Sequence, residues 1–162
     1  MSLFTPSLDQ IFARLNSGYK WPASTITYAF TTSASQIFGN REAPGYSSLI
    51  LSAQQSARLA LSLWDDLVVA NFVEVSPSTY VTSNLEFGMT TTGISYAHAY
   101  YPTLGSIWFN SSYGPSSGSG NLLSPVVGWH GFLTYVHEIG HALGLDHAGD
   151  YNGTGNWSPS NF

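Results

Sequence analysis

The sequence contains no cysteine, which excludes disulfide bonds and thiolate metal ligands. Any metal would have to be held by His, Asp, Glu or backbone oxygen. Charge is scarce as well: 8 % of residues are Asp, Glu, Lys or Arg, against about 25 % in ordinary globular domains. The only basic residues are Arg14, Lys20, Arg41 and Arg58, they form no run or stripe, and the net charge is −5. Nucleic acid and anionic membrane are therefore not expected partners. No apolar run approaches the ~18 residues of a membrane-crossing helix. The opening stretch MSLFTPSLDQIFARLNSGYK lacks the charged head and apolar middle of a secretory leader, which excludes one export route and leaves others open. Methionine is limited to Met1 and Met89.

What is present is an apolar fraction of 43 % in a chain of 162 residues, enough to bury a core and most simply one domain. Ser, Thr, Gly, Asn and Tyr carry the polar surface. We read residues 1–24 as a lead-in with a short amphipathic helix at 8–15, and 25–110 as a sheet plus a first helix. TITYAFT (25–31) alternates like a strand. Ala53, Ala57, Ala60, Leu61, Trp64, Leu67 and Val68 recur at spacings of three and four, predicting a helix at about 52–70. Ser52 and Gln55 have the spacing of a capping box at its start. Strands are expected at 72–76, 83–89, 94–100 and 106–110, then a flexible Gly/Ser surface segment at 111–125. A second helix, about 131–143, carries Phe132, Val136, Ile139 and Leu143 as an apolar stripe. Strand, helix, four strands and helix make an α+β layer fold.

Residues 130–150 hold the chemistry. His137 and His141 are four apart, hence neighbours on one helix face. Glu138 is one step round the same cylinder and can stand beside a shared point without binding it. Gly144 can take the left-handed conformation that ends a helix, so the chain can reverse and return His147 as a third ligand. Three neutral imidazoles leave Zn2+ one open tetrahedral position, the arrangement of a catalytic site. Water there would be acidified, and Glu138 could take its proton and hand it to a leaving amine. Acidification below about pH 6 should release the metal, because protonated imidazole cannot ligate. The plain alternative is a helix with unrelated surface or core histidines.

The run HEIGHALGLDH (137–147) resembles the signature of the metzincin zinc proteases. HEIGHALGLDHAGDYN, together with LSAQQSARLALSLWDDLVVANFVEV, SNLEFG, YAHAYYP and SIWFN, is similar to the serralysins, secreted bacterial metalloendopeptidases, over roughly residues 24–155. The resemblance implies a zinc-dependent endopeptidase with a polypeptide substrate. It also implies a five-stranded mixed sheet with an antiparallel edge strand over the cleft and two main helices. By position that edge is GISYAHAY (93–100), where the backbones of Tyr96, Ala97 and Ala99 would pair with substrate. It further implies an extracellular setting.

The same resemblance frames the remaining residues. AHA (97–99) is also similar to a matrixin segment whose histidine binds a second, structural zinc. No upstream H-x-D exists and SIWFN has no histidine, so His98 is expected not to ligate. His130 is expected to cap or be solvated, and Trp129 and Phe132 to pack. Asp146 and Asp150 either steady a ligand histidine or are solvated loop carboxylates. No G-G-x-G-x-D occurs, so no calcium-repeat module is expected here. Metzincins carry a methionine turn beneath the zinc, with a neighbouring tyrosine in serralysins. Met1 and Met89 both lie upstream, and Tyr135 and Tyr151 do not match that position. The expectation is thus a protease domain with an incomplete C-terminal part. A non-catalytic zinc-binding or peptide-binding fragment, active only with a missing C-terminal segment, is the alternative. A proteinaceous inhibitor or that segment would be the further partner.

Overall fold

The computed structural model describes residues 5–78 and 83–148. Its elements are α1 (Leu8–Leu15), β1 (Thr25–Phe30), α2 (Leu51–Asp65), β2 (Asn71–Glu74), β3 (Leu85–Thr90), β4 (Ala97–Ala99), β5 (Ser106–Asn110) and α3 (His130–Leu143). The strands form one sheet in the order β2-β1-β3-β5-β4. β1 pairs in parallel with β2 and β3, and β3 with β5. Only β4 runs antiparallel, with Ala97 opposite Phe109 and Ala99 opposite Ile107. This is the expected α+β architecture with a mixed five-stranded sheet.

Strand alternation sorts the two sheet faces. Ile26, Tyr28, Phe30, Leu85, Phe87, Met89, Ile107 and Phe109 join Ala53, Ala57, Ala60 and Leu61 of α2 and Phe132, Tyr135, Ile139 and Ala142 of α3 in one core. Tyr135 stacks on Phe109 at 3.9 Å. The two helices meet closely at Gly140, where an added Cβ would lie 3.0 Å from the Trp64 ring. On the other face, buried Trp108 donates Nε1–H to the Phe38 carbonyl at 2.8 Å.

Several local expectations change. α2 begins at Leu51 after Ile50, which makes no side-chain cap, so the anticipated Ser52 capping box is not formed. Ser52 instead donates to the Leu123 carbonyl at 2.7 Å. A capping box does form at Ser7 and Gln10, at the start of α1. α2 also stops at Asp65, and Leu67, which continued its apolar spacing, is 75 % exposed. The Gly/Ser stretch 111–125, expected as a flexible surface loop, is anchored. Leu122 is fully buried, its N–H bonds the Tyr113 carbonyl, and its own carbonyl accepts from the Tyr135 hydroxyl at 2.7 Å. Composition described that segment's outer surface and not its attachment.

Candidate metal centre

Four-residue helical spacing brings the rings of His137 and His141 to 4.5 Å. α3 then ends at Gly144, whose φ of 108° and ψ of 11° are left-handed. Leu145 N–H reaches back to the Gly140 carbonyl at 2.9 Å, closing the last turn. The chain turns, and His147 comes round to the helix pair. The three Nε2 atoms end 3.0, 3.1 and 3.2 Å apart.

That triangle fits a metal better than it fits hydrogen bonds. Nitrogens about 2.0–2.1 Å from a tetrahedral zinc lie roughly 3.3 Å from one another. His141 Nδ1 is 2.7 Å from the Leu145 carbonyl, which can only accept. The ring therefore carries its proton on Nδ1 and turns the Nε2 lone pair to the shared point, the tautomer of a metal ligand. Burial, and then the neighbouring His141, His147 and His130, push His137 down to about 4. Burial also lowers His141. Neutral imidazoles at physiological pH are what a divalent cation requires. Among the described residues, His137, His141 and His147 are the one cluster of three or more side chains of ligand type.

Glu138 is 6 % exposed, and burial alone lifts its carboxyl to about 7. It lines a cleft of about 340 Å³ with the three histidines, Ala97, His98, Ala99 and Tyr101. A second recess of about 310 Å³ lies beside it, lined by Tyr96, His130, Leu133, Thr134, His137 and Glu138.

β4 is the sheet edge, and its hydrogen bonding separates the three residues expected to meet substrate. Asn110 N–H donates to the Tyr96 carbonyl at 2.7 Å, and Tyr100 N–H to the Ser106 carbonyl. In an antiparallel pair the bonded residues alternate, so Ala97 and Ala99 turn their backbone groups to the free edge. The Tyr96 carbonyl accepts from β5, and Tyr96 also lines the second recess.

Other histidines and carboxylates fall elsewhere. His98 Nε2 sits 3.1 Å from Glu42 Oε1, a carboxylate with 0 % exposure that also accepts from the Tyr100 hydroxyl. His130 is the first residue of α3 and stacks on Tyr96 at 5.4 Å rather than capping the helix. Phe132 is core, whereas Trp129 is half exposed. Asp146 is not a free loop carboxylate: Oδ1 accepts from His147 N–H at 2.7 Å and from the Tyr101 hydroxyl at 2.9 Å. Burial first, then the bond to Asp146, raises Tyr101 to about 12. Asp150 and Tyr151 lie outside the described residues. Met89 is in β3, inside the core. Glu42 and Tyr101 went unnoticed in the sequence, where no local spacing links either to its partner.

A mostly parallel sheet with one antiparallel edge, above a helix bearing H-E-x-x-H and a third histidine beyond a glycine turn, defines a metzincin-type domain. The chain belongs to the matrixin family, whose model matches residues 20–153. It is 35 % identical to Serralysin B of Dickeya chrysanthemi over 140 residues, covering 80 % of this chain and 27 % of that protein. It is 34 % identical to Metallopeptidase AprA of Pseudomonas marginalis over 137 residues, covering 78 % and 27 % respectively. Serralysin of Photorhabdus laumondii is 34 % identical over 118 residues, covering 71 % and 24 %. The chain thus spans about a quarter of the length of the curated relatives it matches.

Proposed function

We propose that this domain is the catalytic part of a zinc-dependent endopeptidase, with His137, His141 and His147 as metal ligands and Glu138 as general base. The observation that carries the reading is three imidazole Nε2 atoms within 3.2 Å of one another, facing an open cleft beside a buried glutamate. An extended polypeptide adds to the β4 edge through the free backbone groups of Ala97 and Ala99, which aligns a scissile bond along the cleft. Bound zinc would supply Lewis-acid chemistry, acidifying a water and polarising the carbonyl. Glu138 takes one proton from the attacking water as its oxygen bonds to the carbonyl carbon. Glu138 then gives that proton to the amine nitrogen as the carbon–nitrogen bond breaks, and is returned to its starting state. An extracellular setting belongs to the same proposal and rests on the serralysin resemblance.

The test is Glu138→Gln. It should keep one zinc per chain and lose cleavage of casein; cleavage that survives would remove Glu138 from its role. A second reading, a zinc- and peptide-binding unit that needs a further segment for turnover, is favoured by one feature. A hollow of about 210 Å³ lies against the triad, with Leu15, Trp64, Leu145 and Ala148 among its walls. Cleavage appearing only when a C-terminal segment is supplied would select that reading.

A further inference from the structure

We propose that residues 15–21, together with Tyr101, form a strap that positions the third histidine, so that the lead-in is a working part of the metal centre. The inference rests on the zinc reading above. His137 and His141 are placed by the helix itself. His147 is three residues past the helix-ending glycine, and the last α3 closure is the bond from Leu145 N–H to the Gly140 carbonyl. Its position must come from elsewhere.

The strap supplies it. Asn16 forms an antiparallel bridge with Leu145. Asp146 N–H donates to the Leu15 carbonyl at 2.8 Å, and Ser17 Oγ donates to the Gly144 carbonyl at 2.6 Å. Trp21 Nε1–H reaches the Ala142 carbonyl at 2.8 Å. The Tyr19 carbonyl occupies the space a Gly144 side chain would need. Leu145, held in this way, is the residue whose carbonyl takes the His141 Nδ1 proton at 2.7 Å, so the strap reaches the second histidine too.

A second path reaches His147 from the side. The Tyr19 ring stacks on Tyr101 at 5.8 Å with 8° between planes. The Tyr101 hydroxyl donates to Asp146 Oδ1 at 2.9 Å, and that same oxygen holds His147 N–H at 2.7 Å. Both paths converge on Asp146, one through its backbone and one through its side chain. Tyr101 and Asp146 are therefore positioning residues: they act on the ion through the histidines they hold.

The experiment measures zinc affinity of the folded domain by chelator competition, with the visible spectrum of the cobalt(II) form as a reporter of ligand geometry. Asp146→Ala should weaken zinc binding about 10–100-fold and Tyr101→Phe about tenfold, as outer-shell changes do. Asp146→Asn keeps an acceptor oxygen and should stay within about threefold of wild type. Tyr28→Phe removes a hydroxyl that bonds Glu74 at the far end of the sheet, and should change neither readout. If Asp146→Ala does not fold, Tyr101→Phe and Ser17→Ala decide. Zinc affinities and cobalt spectra of Tyr101→Phe and Asp146→Ala that match Tyr28→Phe would overturn the strap alone. A wild-type domain that takes up no zinc would overturn both this inference and the metal reading.

Discussion

Two histidine–glutamate neighbourhoods flank the cleft, and they are built on opposite principles. Around His98 a carboxylate faces the ring: its Nε2 lies 3.1 Å from Glu42 Oε1, and Tyr100 donates to the same oxygen. Among the described residues, no carboxylate joins the cluster of His137, His141 and His147. Three nitrogens face each other within 3.2 Å instead, and the nearby glutamate is buried, with no cationic partner among the described residues. In the first arrangement a buried carboxylate faces the ring, although Glu42 Oε2 and His98 Nε2 make no well-aligned hydrogen bond among the described residues. In the second, three ring nitrogens converge on one point, which suits a cation under the zinc reading. What sets a candidate metal site apart is this convergence, not the count of histidines.

The largest test of this contrast is Glu138→Gln, which should lower peptide hydrolysis by about 10²–10⁴-fold with zinc stoichiometry kept. Next come two histidine replacements compared directly. His137→Ala should abolish stoichiometric zinc uptake at micromolar metal. His98→Ala should leave uptake at one zinc and cost about 1–3 kcal/mol in urea unfolding, because the buried Glu42 carboxylate loses the ring beside it. Loss of zinc in His98→Ala would break the comparison.

A third buried carboxylate sharpens it. Glu86, 1 % exposed, has Ser83 as a partner at one oxygen, and burial lifts it from 4.5 to about 7. The folded state thus prefers the protonated acid. That contribution is full below pH 4.5 and is lost as pH rises through about 7. Glu86→Gln should therefore unfold like wild type at pH 4 and be more stable by about 2 kcal/mol at pH 8. An equal gain at both pH values would show that packing, not protonation, is responsible. The smallest effect is expected at the surface pair Arg58–Glu74. Its 2.6 Å contact joins side chains 37 % and 40 % exposed. Arg58→Ala should cost under about 1 kcal/mol, with a shallow salt dependence.

How much was legible follows the range of each interaction. The helix pair His137/His141, the glycine turn and the returning His147 are readable because helical periodicity and a left-handed glycine are local properties. The five strands and both main helices were readable from alternation and from three-four spacing. The end of α2 was not: its apolar spacing ran on through Leu67, and the chain left the helix at Asp65 to enter β2. Ser52 had the right neighbours for a cap, but its hydroxyl found Leu123, 71 residues away.

By itself, then, the sequence determined the donor set: three imidazoles and a glutamate on one helix and turn, in a chain without cysteine, feeding an α+β sheet. Tertiary structure alone decided which backbone groups of β4 stay free. Strand pairing has a period of two, and only the register with β5 spends the Tyr96 carbonyl and spares Ala97 and Ala99. It also decided the pairing of Glu42 with His98, the seat of Asp146 under Tyr101, and the clasp of the lead-in on the turn that carries His147. Those contacts join segments tens to more than a hundred residues apart, and no local propensity encodes which distant groups will meet when the core closes.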